Sequence, residues 1–262
     1  MRAASNRKIA WVAALVALVL CSAGAKFGRA AFAPQKFEDL TTPTPLPAGE
    51  TLVIGFLGGW EKWDDPNRGV RKFALALRAK RLPGARVETV ENHSRGVALE
   101  LVRRAFDRDG DGRLSADEAR DARLILYGQS FGGAAVNKLS KELEPLGVPV
   151  LLRVQIDSVG ANDADVPPNV RRAVNFFQRN DQFGIRGEPK IFASDPHKTE
   201  ILGNFEYDYR NKKVDLSGAH WYQKMFKNAH VKMELDPEVW SAVERAILAE
   251  LSPPGSSRTA SR

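Results

Sequence analysis

Between residues 51 and 251 the apolar positions of this chain keep changing period, from unbroken runs to stripes three or four residues apart. TLVIGFLGGW (51–60) is an apolar run that stops at glycines, which predicts a buried strand and then a tight loop. RGVRKFALALRAKRL (68–82) sets Val70, Phe73, Leu75, Leu77 and Leu82 among basic residues at helical spacing. ARVETVEN (85–92) alternates as a strand does, and SRGVALELVRRAF (94–106) returns to the helical period. The same succession follows in ARLILYGQS (strand, 122–130), AAVNKLSKELEPL (helix, 134–146), VPVLLRVQIDS (strand, 148–158) and RRAVNFFQRND (strand, 171–181). VKMEL (231–235) alternates in the manner of a terminal strand. Asp236-Pro237 then opens a helix, EVWSAVERAILAEL, with Val239, Trp240, Val243, Ile247 and Leu251 on one face. Strands apolar on both faces, alternating with helices, predict an α/β fold: a mostly parallel central sheet with helices on both faces. In such a sheet the reactive site lies at the carboxyl ends of the strands.

The ends read differently. MRAASNRK is basic, IAWVAALVALVL is uncharged and mostly apolar, and CSAGA closes in small residues, so residues 1–25 read as a secretory signal. The uncharged run from Ile9 to Ala25 is 17 residues long. That is the lower limit for a membrane span, and an uncleaved anchor is the alternative. Either form implies an exported protein, periplasmic, secreted or held at the cytoplasmic membrane. Residues 26–50, rich in Pro and Ala, predict an extended lead-in, and 252–262 a flexible polar tail. The folded domain is then 51–251. Cys21 is the only cysteine, so cleavage after Ala25 leaves a chain without disulfide or thiol chemistry. The net charge is +7, and three of those charges (Arg2, Arg7, Lys8) fall in the signal. With no basic run interleaved with aromatics elsewhere, nucleic acid is a poor partner.

Two motifs carry chemistry. Gly128-Gln129-Ser130-Phe131-Gly132 matches G-x-S-x-G between an apolar strand and a helical pattern. That is the setting in which a serine is raised on a sharp bend as a nucleophile. The backbone N–H of Phe131 comes with the bend as an oxyanion donor. A second donor would come from the loop after an earlier strand, and Leu57, before Gly58-Gly59, is the candidate; the plain alternative is an ordinary Gly-Gly turn. GFLGG, GQSFGG and a late histidine behind Asp-bearing strand ends make residues 51–251 resemble the α/β-hydrolase superfamily. VQIDSVG, NFFQRND, ILGNF and AHVKMELDPEVW further resemble a bacterial, exported branch of it.

The resemblance implies a serine hydrolase acting on small-molecule or lipid esters, or on thioesters, with triad order Ser, Asp or Glu, His. His93 precedes the serine and His197 comes too early, which leaves His230, just before the last helix, with His220 behind it. Asp157 and Asp181 each end an apolar strand, and either could orient the imidazole; Asp195 trails them. Trp60, Trp63 and Trp221 could line an apolar pocket or could be plain core.

The second motif is DRDGDGRLSADE (107–118), in register with D-x-[DN]-x-[DN]-G-x₅-E. Asp107, Asp109, Asp111, the Arg113 carbonyl, Ser115 and Glu118 fall at calcium-ligand positions, with Leu114 the apolar residue inside the loop. Its distance from Ser130 along the chain puts the ion at the amino end of the elbow strand, so calcium would be structural. The other reading of the whole chain is a non-catalytic, calcium-stabilised binding module on a degenerate hydrolase scaffold.

Overall fold

A computed structural model describes residues 33–181, 184–219, 224 and 228–251. The expected signal, the whole of the 252–262 tail, His220 and Trp221 lie outside these residues. Chain order runs β1 (Thr51–Leu57), α1 (Gly69–Ala79), β2 (Ala85–Glu91), α2 (Arg95–Phe106), α3 (Ala116–Asp121), β3 (Leu124–Gln129) and α4 (Phe131–Leu143). It continues through β4 (Val150–Ile156), β5 (Asp165–Val166), β6 (Val170–Phe177), β7 (Phe192–Ala193), β8 (Glu200–Glu206), α5 (Ala229–Leu235) and α6 (Pro237–Leu251). Six strands form one sheet in the order β2-β1-β3-β4-β6-β8, and every pairing is parallel. β5 and β7 make a separate two-stranded parallel ladder. All of this belongs to the compact unit that runs from Gln35.

Two-sided burial explains the unbroken apolar runs. Every residue of β1, β3 and β4 is buried. Leu52, Ile54, Phe56, Leu124 and Leu126 turn to one core with Leu101 and Val102 of α2 and Val136 and Leu139 of α4. Val53, Leu57, Ile125, Tyr127, Val154 and Ile156 turn to the other, with Phe73 and Leu77 of α1 and Val239, Val243 and Ile247 of α6. Residues two apart share a face, so one strand feeds both cores. At about 1.5–3 kcal/mol per fully buried large apolar side chain, these layers are the main stabilising term.

The lead-in packs along the edge strand β2 from Gln35 onward. The Gln35 side chain donates to Thr89 O (2.9 Å) and accepts from Glu91 N–H (3.1 Å). Thr41 and Thr42 each give a backbone N–H and a hydroxyl to Glu88 Oε1, at 2.8–2.9 Å. A covered edge cannot pair with another chain.

One expectation needs correction, and one strand was not expected. VKMEL is not a strand: it lies in α5, capped where Asn228 Oδ1 accepts the Val231 N–H at 2.8 Å. A five-residue alternation fits either period, and the cap with Ala229 and Met233 packed in the core decides for helix. The sixth strand, β8, gave little signal because it is an edge strand, half exposed and interrupted by Gly203 and Asn204. The Asp236-Pro237 start is as expected: Asp236 Oδ1 accepts the Glu238 N–H at 3.0 Å. No helix among the described residues is long and apolar enough to cross a membrane.

Candidate active site

β3 ends at Gln129 and α4 begins at Phe131, so Ser130 alone turns the chain from strand to helix. It does so at φ 57°, ψ −124°, where L-residues are disfavoured. The neighbouring glycines make the turn sterically feasible. A β-carbon on Gly128 would strike the Gly132 carbonyl, and one on Gly132 would strike the Phe56 carbonyl of β1. Ser130 is pinned by its N–H to Ile156 O (2.9 Å) and by its carbonyl, which accepts from Gly133 N–H (3.0 Å). Phe131 opens α4, and the first amides of a helix have no intrahelical acceptor, so its N–H is available above the bend.

His230 is the second residue of α5. Its Nε2 lies 2.9 Å from Ser130 Oγ, and its Nδ1 lies 2.6 Å from Asp157 Oδ2. The Gln129 side-chain nitrogen stands 3.4 Å from the same Nε2. Burial alone would lower the His230 pKa, but the Asp157 contact, helped by the charges of Glu234 and Asp181, holds it above its ordinary value.

Asp157 follows β4 directly, beside β3 in the sheet, and is completely buried. Its Oδ1 accepts from Gly187 N–H (2.8 Å) and Gln178 N–H (3.3 Å), and its Oδ2 accepts from the Gln178 side chain (2.9 Å). The turn after it is folded on Asp163, which accepts from Ser158 Oγ and from Gly160 N–H. Asp181 is also buried, but it meets the backbone of His230 rather than the ring: its Oδ2 accepts the His230 N–H at 3.4 Å. The two aspartates that the sequence left as alternatives thus hold one histidine at two places.

Leu57 is the last residue of β1, buried and paired with Glu91. The residue that stands against the bend is the next one: a β-carbon on Gly58 would lie 3.2 Å from that of Ser130. Trp60, 72% exposed, leans on the His93 ring at 5.9 Å, while Trp63 packs against the second core. A cleft of about 430 Å³ lies elsewhere, at the amino end of β2, lined by Thr41, Arg78, Arg81 and Arg86 among others.

Sequence reasoning passed over Gln178. It follows β6 immediately, the positional rule that singled out Asp157, but an amide drew no notice as a partner for a carboxylate. It donates to Asp157 and Ile185 O (2.8 Å) and accepts from the Asn180 and Asp181 N–H groups.

The acidic loop sits at the opposite end of β3. Carboxylate oxygens of Asp107, Asp109 and Glu118 lie within 4.8 Å of one another. Asp107 accepts from Gly110 and Gly112 N–H (both 2.9 Å), and Glu118 Oε1 accepts from Arg108 N–H (2.7 Å). Glu118 Oε2 takes the Ser115 hydroxyl (2.7 Å) and N–H (2.9 Å). These bonds, the Ser115 hydroxyl foremost, bring the Glu118 carboxyl down to about 2. Asp111 is turned to the Arg113 N–H (2.7 Å) and stands outside the group of three.

No protein-family model and no curated protein matches the chain. Solved structures similar in chain course include a cutinase-like protein from Cryptococcus sp., at 14% identity over 80% of this chain and 98% of that one, TM-score 0.41. A dienelactone hydrolase-like promiscuous phosphotriesterase from metagenomic libraries is similar at 13% identity over 80% and 87%, TM-score 0.38. The RedJ thioesterase of the prodiginine pathway in Streptomyces coelicolor is similar at 12% identity over 86% and 100%, TM-score 0.37.

Proposed function

We propose that this chain is a serine hydrolase that cleaves an ester or thioester through Ser130, His230 and Asp157. One observation carries the reading: a serine at a left-handed bend, 2.9 Å from an imidazole whose far nitrogen is 2.6 Å from a buried carboxylate. Asp157 fixes the tautomer with the proton on Nδ1, so Nε2 presents its lone pair to the hydroxyl. Ser130 Oγ attacks the carbonyl carbon as its proton passes to Nε2. The oxyanion of the tetrahedral intermediate is met by the Phe131 N–H and by the backbone of Leu57 at the end of β1, the Gly58 N–H being given to Glu61. The imidazolium then protonates the departing alkoxide or thiolate. Water, activated by the same nitrogen, releases the acid from the acyl-serine.

The test is hydrolysis of a short-chain p-nitrophenyl ester by wild type and Ser130→Ala, with fluorophosphonate labelling alongside. Ser130-dependent turnover and labelling are expected. If both are absent, the binding-module reading takes the function's place.

The acidic loop supports a structural calcium ion. The three converging carboxylates would repel one another without a cation, and their hydrogen bonds already fold the loop around them. Asp107, Asp109 and Glu118 would hold the ion, and Asp111, Ser115 and the Arg113 carbonyl would complete the set on rearrangement. The ion would supply charge neutralisation to the segment that feeds β3, and no catalytic step passes through it. Export guided by residues 1–25, as signal or membrane anchor, would bring the loop to a calcium-rich compartment. A melting curve with and without chelator tests the ion, and an unchanged midpoint removes it.

A further inference from the structure

The mechanism leaves one buried ion cluster unused. Arg68, 1% exposed, stands just before α1 and faces three carboxylates. Its Nε is 3.2 Å from Asp65 Oδ2, and its Nη1 is 3.5 Å from both Glu61 Oε1 and Glu234 Oε1. Glu61 belongs to the turn after β1, and Glu234 lies one helical turn beyond His230 on α5. The cluster therefore spans the two sides of the candidate site.

The turn is closed in both directions by Glu61. Its carboxylate accepts the Gly58 N–H at 3.1 Å, and its own N–H donates to Gly58 O at 3.1 Å. The Asn92 side chain holds the Gly59 carbonyl from the β2 side. Gly58 stands beside the bend, where an added β-carbon would meet the Gln129 side chain first and then lie 3.2 Å from the Ser130 β-carbon. On the far side, Glu234 Oε1 also accepts the Gly69 N–H at 3.4 Å, and its carbonyl accepts from the Trp240 indole at 2.6 Å.

We propose that Glu61, with Arg68 behind it, is a positioning residue for the reaction: it fixes turn 58–61 against Ser130 and ties that turn to the helix carrying His230. This rests on the function proposed above. An unbraced turn would let the oxyanion side drift from the base side, and displacements of about 1 Å near a reacting centre cost on the order of 100-fold in rate. Burial, reinforced by the neighbouring Glu234 charge, holds the Glu61 carboxyl well above the usual carboxylate range. Glutamine, the neutral isostere, can keep the Gly58 hydrogen bond.

The experiment compares wild type, Ser130→Ala, Glu61→Ala and Glu61→Gln for p-nitrophenyl ester kinetics, fluorophosphonate labelling rate and melting midpoint. Glu61→Ala is expected to lower kcat about 10- to 100-fold with KM changed less than about threefold, and to slow labelling in the same ratio. Glu61→Gln is expected to stay within about threefold of wild type. Rates are read at a fixed interval below each variant's own midpoint, so a loss caused by unfolding alone disappears. Wild-type kcat in Glu61→Ala, a loss that vanishes under that correction, or an equal loss in Glu61→Gln overturns the proposal. Should Glu61→Ala not fold, Glu61→Asp, one methylene shorter, is expected to show the same loss, and wild-type kcat there overturns the proposal equally. Absence of Ser130-dependent turnover in the wild type marks instead the failure of the hydrolase reading itself.

Discussion

The two ends of β3 are built on opposite plans. At its amino end, the acidic loop holds Asp107 and Glu118 by backbone amides and the Ser115 hydroxyl, all within ten positions of the carboxylate they meet. At its carboxyl end, Ser130 meets a histidine 100 residues away and that histidine an aspartate 73 residues away, brought together only by the order of strands. A local site can form or loosen without the rest of the fold, whereas an assembled one shares the fold's fate. The two should therefore respond separately to perturbation.

The hardest test of that separation is Ser130→Ala. Turnover should fall by about 10⁴-fold or more, while the shift in melting midpoint on adding calcium stays that of the wild type. Next comes Asp157→Asn, expected to lower kcat by about 10³- to 10⁴-fold because the imidazole loses the carboxylate that sets its tautomer. Asp181→Asn, at a side chain that meets the His230 and Ile185 N–H groups rather than the imidazole ring, should cost no more than about tenfold. Equal losses in the two would dissolve the distinction between them.

The pH profile is a subtler probe. His230 must be neutral to act as base, and its folded pKa lies above the unperturbed value of about 6.5. The acid limb of kcat/KM is expected above pH 6.5 in wild type. A limb at or below that value would contradict the assigned contact. The sign for stability is opposite. The raised pKa stabilises the fold below about pH 6.5, and that contribution is lost as pH rises through the folded value.

The amino-end loop should show the smallest effects. With a dissociation constant of about 10⁻⁴–10⁻³ M, 10 mM calcium would add roughly 1.4–2.7 kcal/mol, or about 3–10 °C in melting midpoint. Asp107→Ala is expected to abolish that shift and to leave kcat within about twofold at 20 °C. A large loss of kcat on chelation would mean the two ends are coupled after all.

The same contrast explains what could be read from the chain. The loop is legible because its register lies within twelve residues, and β1, β3 and β4 because burial on both faces leaves continuous apolar runs. The serine is legible because the bend dictates its own flanking glycines. Asp157 and Asp181 look alike in one dimension, each ending an apolar strand, and only the placement of β4 beside β3 brings the first to the ring and leaves the second at the backbone. Gln178, Glu61 and Arg68 belong to no motif, since what each does for the site depends on a partner distant in sequence: Asp157 for Gln178, and Glu234, through Arg68, for Glu61. VKMEL misleads because its five residues suit two periods, and the cap at Asn228 settles which one forms.

Ser130 carries a further consequence. A side chain at φ 57°, ψ −124° resists its own backbone, and the surrounding sheet and helix must hold it there. Glycine would meet no such resistance, so Ser130→Gly should yield an inert protein that melts higher than its parent, by about 1 kcal/mol in unfolding free energy. Relaxation of that kind would make the dead variant the sturdier crystallographic partner for trapping an intact ester.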